Sequence, residues 1–131
     1  MTKEETVTIV LELPNRVLSP NNPPGSFGGR MKKAASAKRY RRLAKEAAIA
    51  EGVESGPWQL ATIQAHFVHK QERRRDDVNH LGMLKPAYDG FVESGLLQDD
   101  DSEHLTTLPA TFSIDRECSR VELTITRKDA K

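Results

Sequence analysis

Residues 6–13 (Thr-Val-Thr-Ile-Val-Leu-Glu-Leu) alternate aliphatic with polar positions and are rich in β-branched side chains, which predicts a first strand closed by Pro14 and Asn15. Residues 19–29 hold three prolines and three glycines, so no regular element is expected there. Residues 32–51 are mostly Ala, Lys, Arg, Leu and Glu, all good helix formers, and Gly52 supplies a stop. Ala37, Tyr40, Ala44, Ala47 and Ala48 make one stripe of mostly small residues, suited to lying close against a sheet.

Residues 59–70 alternate again, with Ala61, Ile63, Ala65, Phe67 and His69 as the more apolar set and the expected core face. Pro86 is tolerated only in a first helical turn. This divides the next stretch into a short helical turn over 79–84 and a main helix over 86–94, ended by Gly95. Strands are expected over 105–108 and 121–126, with a weaker pattern over 111–114. The order strand, helix, strand, helix, strand, strand predicts an α/β fold: one small domain spanning residues 1–131, a mixed β-sheet packed with two to three helices.

Composition narrows the class. The chain has 131 residues, 37% hydrophobic and 30% charged, as expected of a globular domain. No apolar run approaches the roughly 18–20 residues that span a bilayer, so no membrane partner is expected. The first residues lack the cationic-then-apolar order of a secretory signal, and the expected compartment is the cytoplasm. One cysteine, Cys118, leaves no internal disulfide framework and no all-Cys zinc site, and it is expected to be a buried or incidental thiol.

A net charge of +1 conceals a separation of sign. Residues 30–45 contain eight basic side chains (Arg30, Lys32, Lys33, Lys38, Arg39, Arg41, Arg42, Lys45) and no acidic one. Residues 86–104 contain six acidic side chains (Asp89, Glu93, Asp99, Asp100, Asp101, Glu103) and no basic one. Between them, Arg73-Arg74-Arg75-Asp76-Asp77 changes sign within one step. The pattern suits a polyanion-binding surface beside a cation-binding site. It also suits charge blocks that do no more than solvate exposed faces.

Aspartates dominate the candidate chemistry. Asp76 and Asp77 follow a strand, and residues 99–101 follow a helix, positions at which scaffolds place reactive groups on loops. Carboxylates brought together need a cation between them, and oxygen ligands select a hard ion such as Mg2+ or Mn2+. The plainer alternative is exposed turn aspartates that cap helices. His66, His69, His80 and His104 form no zinc spacing and are expected to be ordinary surface or packed residues. Residues 99–103 lack the central Gly and distal Glu of a calcium loop, and no Walker, GxGxxG or GxSxG motif occurs.

The run Arg74-Arg75-Asp76-Asp77-Val78-Asn79, then Lys85-Pro86-Ala87-Tyr88-Asp89-Gly90, then Ser94-Gly95-Leu96-Leu97-Gln98-Asp99-Asp100-Asp101 resembles RusA-type Holliday junction resolvases, particularly divergent phage and prophage forms. That family carries a basic residue, Asp-x-Asp-Asn, a Lys, an Asp four residues later, an apolar-Gly step and an Asp-Asp pair. Asp76, Asn79, Lys85, Asp89 and residues 99–101 match it. Leu18-Ser19-Pro20-Asn21-Asn22 before a basic helix is also similar, and about 25 central residues are specific. Val78 stands where the second Asp belongs and cannot ligate a metal. Asp77, on an extended backbone, would point away. The step from Asn79 to Lys85 is about one helical turn longer than in the family.

The resemblance implies a homodimeric endodeoxyribonuclease that nicks four-way DNA junctions with Mg2+ or Mn2+, in recombination and repair. It implies Asp76, Lys85 and Asp100 as catalytic residues, with Asp76, Asp77, Asp100 and Asp101 around the metal. Arg30, Lys38, Arg41, Arg42, Arg74, Arg75 and Asn79 would contact DNA. The other reading is a RusA-like protein that holds branched DNA with weakened or absent cutting. The Ala-rich helix and an exposed sheet edge are the expected places for a dimer contact.

Overall fold

The computed structural model describes residues 5–19, 25–71 and 77–129. Five strands form one mixed sheet: β1 (Thr6–Leu11), β2 (Ala61–His69), β3 (Leu105–Thr107), β4 (Thr111–Ile114) and β5 (Arg120–Arg127). Three α-helices accompany them, α1 (Phe27–Ala50), α2 (Asp77–Gly82) and α3 (Lys85–Glu93), with a 3-10 turn over Arg16–Leu18. The expected small α/β domain with a mixed sheet is what the chain forms.

β5 lies between β1 and β2 and is antiparallel to both. The outer edge of β2 is shared: β3 pairs in parallel with its first three residues and β4 with its last four. Alternation sets the buried face, with Val7, Ile9 and Leu11 of β1, Ala61, Ile63, Ala65 and Phe67 of β2, and Val121, Leu123 and Ile125 of β5 all in the core. Thr6, Thr8 and Val10 of β1 point the other way and are exposed.

α1 begins five residues before its expected start. Ser26 caps it, its hydroxyl accepting from the Gly29 amide at 3.0 Å, and the helix runs through Gly28 and Gly29 despite their low propensity. The small-residue stripe lies mainly against α3, with a smaller contact to β1, and not flat against a sheet as its composition suggested. Tyr40, Ala44 and Ala48 are buried inside the same chain, whereas Ala37 and Ala47 of the same stripe are half-buried. The Tyr40 hydroxyl donates to the Glu12 carbonyl at 2.8 Å and ties α1 to the end of β1.

α3 packs along α1, and Gly90 is the reason they come so close. A Cβ at position 90 would lie 2.3 Å from the Arg41 carbonyl oxygen and 2.9 Å from the Lys45 amide nitrogen. Pro86 sits in the first turn of α3, as its missing N–H requires. Two corrections to the sequence reading concern local conformation. Asp77 starts a helix and does not continue an extended strand, and Cys118 is exposed, which removes the buried alternative for this thiol. No described helix is long and apolar enough to cross a membrane.

Candidate metal and phosphate site

Gly95, at φ +88°, ends α3 in the left-handed conformation that glycine adopts without strain. Leu96 and Leu97 then turn into the core, where Trp58 clamps them: the Trp58 amide donates to the Leu96 carbonyl at 2.8 Å, and the Gln98 amide donates to the Trp58 carbonyl at 2.9 Å. The segment after α3 therefore doubles back beside the helix. It returns far enough to meet the helix's first residue.

That meeting is the centre of the site. Lys85 Nζ lies 2.5 Å from Asp100 Oδ2 and 2.9 Å from Asp89 Oδ1. Asp89 is one turn along α3, an ordinary i,i+4 pair, but Asp100 is fifteen residues away. The Asp100 side chain is only 12% exposed, against 62% for Lys85. Burial pushes the Asp100 carboxyl up, but the hydrogen bond and charge of Lys85 outweigh it and hold the carboxyl below its usual range. Hydrogen bonds to Asp100 and Asp89 raise Lys85 in turn, so it stays protonated.

Tyr88, one turn from Lys85 on α3, is buried, and its hydroxyl has no hydrogen-bond partner among the described residues. Burial first, and then the negative charge of Asp100, raise the phenol above its normal value. An unsatisfied hydroxyl within the field of a carboxylate is a polar position that no described residue completes.

Next to Asp100 is a second group. Asp99, Asp101 and His104 present ligand atoms that all lie within 4.8 Å of one another. Asp101 Oδ1 accepts from the Glu103 amide at 3.0 Å, the His104 amide at 3.1 Å and His104 Nδ1 at 2.6 Å, which fixes the turn into β3. The hydrogen bond to Asp101 raises the His104 imidazole, and the same bond lowers the Asp101 carboxyl. Two carboxylates and an imidazole form a donor set that a divalent ion can use.

The expected site residues divide as follows. Asp76, Arg74 and Arg75 lie outside the described residues. Asp77 and Asn79 fall in α2, which follows directly on that segment. Lys85 and Asp100 are in contact, but Asp100 is held by a lysine, and the donor atoms that lie close enough together to hold an ion are those of Asp99, Asp101 and His104. From sequence His104 reads as an ordinary surface or packed residue, and the structure adds that it lies within reach of two carboxylates. Its signal was the i,i+3 spacing to Asp101 within a turn, not any zinc motif. Arg30, Lys38, Arg41 and Arg42 all lie on α1, where Arg41 Nε is 3.4 Å from Glu93 Oε1 and Lys38 and Arg42 are exposed. The basic helix thus borders the acidic loop through α3.

Compared with known proteins, the chain matches no family model and none of the curated proteins.

Proposed function

We propose that this protein is a RusA-like, divalent-metal-dependent endodeoxyribonuclease that nicks four-way DNA junctions as a homodimer. The observation that carries the reading is the Lys85–Asp100 contact, made by two residues that the family resemblance pairs in one reaction centre. Segregated charge supports it, since a positive helix stands beside an acidic, partly buried loop. Mg2+ or Mn2+ would be held by Asp101, and by Asp100 once the ion displaces Lys85 from its carboxylate, with the Asp76 and Asp77 that the resemblance implies. Asp99 and His104 are further donors, and the imidazole favours Mn2+ more than Mg2+. The ion would supply a water of lowered pKa and neutralise charge developing on the phosphate.

The chain's own groups have definite tasks in this scheme. Lys85, kept protonated by two carboxylates, offers a charge-assisted hydrogen bond to a phosphate oxygen and fixes its position. Asp89 keeps the ammonium pointed into the site. Arg30, Lys38 and Arg42, with Arg74, Arg75 and Asn79, hold backbone phosphates without reading sequence. Twofold symmetry would give a roughly twofold junction two such centres.

The test is cleavage of a labelled four-way junction in Mg2+ or Mn2+. Nicks near the branch are expected, with at least ~100-fold loss in Asp100→Asn and Lys85→Ala. Equal cutting by Asp100→Asn would remove the assigned centre. Val78, at the place of a family carboxylate, favours a second reading, in which branched DNA is bound but not cut. Tight, salt-sensitive binding without nicks, and cleavage gained in Val78→Asp, would establish that reading over the first.

A further inference from the structure

Between the first half of α1, the 3-10 turn and the corner joining α2 to α3 lies a cleft of about 480 Å3. Its floor is aliphatic: Leu18, Ala34, Ala37 and Pro86. Three cations, Arg30, Lys33 and Lys85, stand around it, the last with its ammonium already paired to Asp100 and Asp89, and among the described residues no acidic or aromatic side chain lines it. Lys85 belongs at once to this cleft and to the Asp100 contact. An apolar floor under several positive charges fits a ligand that is flat and apolar at one end and anionic at the other.

We propose that the cleft receives a single unstacked nucleotide of the DNA substrate, its base on the aliphatic floor and its flanking phosphates on Arg30, Lys33 and Lys85. This rests on the functional reading above and adds to it a source of structure selectivity. A base within a duplex cannot reach such a floor, because both of its faces are stacked. At a branch point, unstacking costs less, so the same contacts favour branched over linear DNA. Lys85 lines the cleft together with Ala34 and Pro86, so one cleft offers both a phosphate contact and an apolar floor.

The test uses a four-way junction carrying 2-aminopurine at the exchange point, bound in EDTA so that no strand is cut. An unstacked probe brightens, and as none of the described side chains lining the cleft is aromatic, it is not quenched again. Wild-type protein is expected to brighten it severalfold at saturation. Ala34→Leu fills the floor from an exposed helical position with a good helix former, so the fold is retained. This variant is expected to lose most of the brightening and to bind the junction about 10-fold more weakly, with linear duplex binding unchanged.

Saturation of the wild type without brightening, or equal brightening by Ala34→Leu, would overturn the assignment and leave the nuclease reading intact. Failure of the wild type to prefer a junction over linear duplex would remove the nuclease reading and this assignment together. A change in sedimentation of Ala34→Leu, with its fluorescence response unaltered, would give the cleft to a second copy of the chain instead.

Discussion

Lys85 and Asp100 meet at 2.5 Å although one is mostly exposed and the other nearly covered, so the carboxylate depends on the lysine far more than the reverse. Asp100→Asn is therefore expected to cost about 1 kcal/mol, a value kept low by solvent around the ammonium. Asp89→Asn, at the more exposed end of the same lysine, is expected to stay within about 0.5 kcal/mol. Urea melts followed by emission of Trp58, the sole tryptophan and a buried one, measure both.

The same contact sets an acid limb. Asp100 titrates lower in the folded chain than in the unfolded one, so its contribution is complete above the unfolded value near ~3.9 and disappears as pH falls through the folded value. The stability difference between wild type and Asp100→Asn should close as pH falls below about 4. A gap that widens in acid would contradict the pairing.

Gly90 predicts a large effect from one methyl group. Alanine there would collide with backbone atoms of Arg41 and Lys45, and backbone cannot swing aside as a side chain can. Gly90→Ala is expected to destabilise by about 3 kcal/mol, the range of overpacked cores. Gly28→Ala is the contrast: its Cβ would meet nothing nearer than the Ser26 hydroxyl at 4.0 Å, and the helix gains up to ~1 kcal/mol. Paired thermal melts should therefore move in opposite directions.

Strand alternation made the sheet legible from sequence. Ala61, Ile63, Ala65 and Phe67 face the core as their pattern implied, and Pro86 marked the start of α3 to within one residue. The start of α1 was hidden because Gly28 and Gly29 read locally as loop, whereas Ser26 capping and tertiary packing override that preference. The pairing of β4 with the far half of β2 depends on a long-range register that a weak four-residue pattern cannot encode. In the candidate site, the aspartate run could be seen, but its division of labour could not. Whether Asp100 faces Lys85 or the Asp101–His104 turn depends on how residues 96–98 are clamped by Trp58, a residue that no chemical motif singles out.

His104 offers a test of the turn that carries the acidic cluster. In metal-free protein its imidazole should titrate above the usual ~6.5, because the charged form is held by Asp101. A raised folded value means that the contact contributes fully below the unfolded pKa and is lost as pH rises through the folded one. Asp101→Asn should return the NMR titration of His104 toward its ordinary midpoint. Mn2+ should broaden the His104 resonances before those of His66, which instead hydrogen-bonds Thr111 and Ser113 on the sheet.

Charges on α1 differ in what they have left to offer DNA. Arg41 already faces Glu93, whereas no ion pair among the described residues engages Lys38 or Arg42. A phosphate contact by Arg41 must first displace the carboxylate, but Lys38 and Arg42 lose only hydration. Lys38→Ala and Arg42→Ala should each weaken junction and linear duplex alike and reduce the slope of log affinity against log salt by about 1. Arg41→Ala should change the slope less, and Glu93→Gln should strengthen binding by releasing Arg41. Anisotropy titrations at several salt concentrations separate these cases, and equal slopes for all four variants would mean that α1 does not face the DNA.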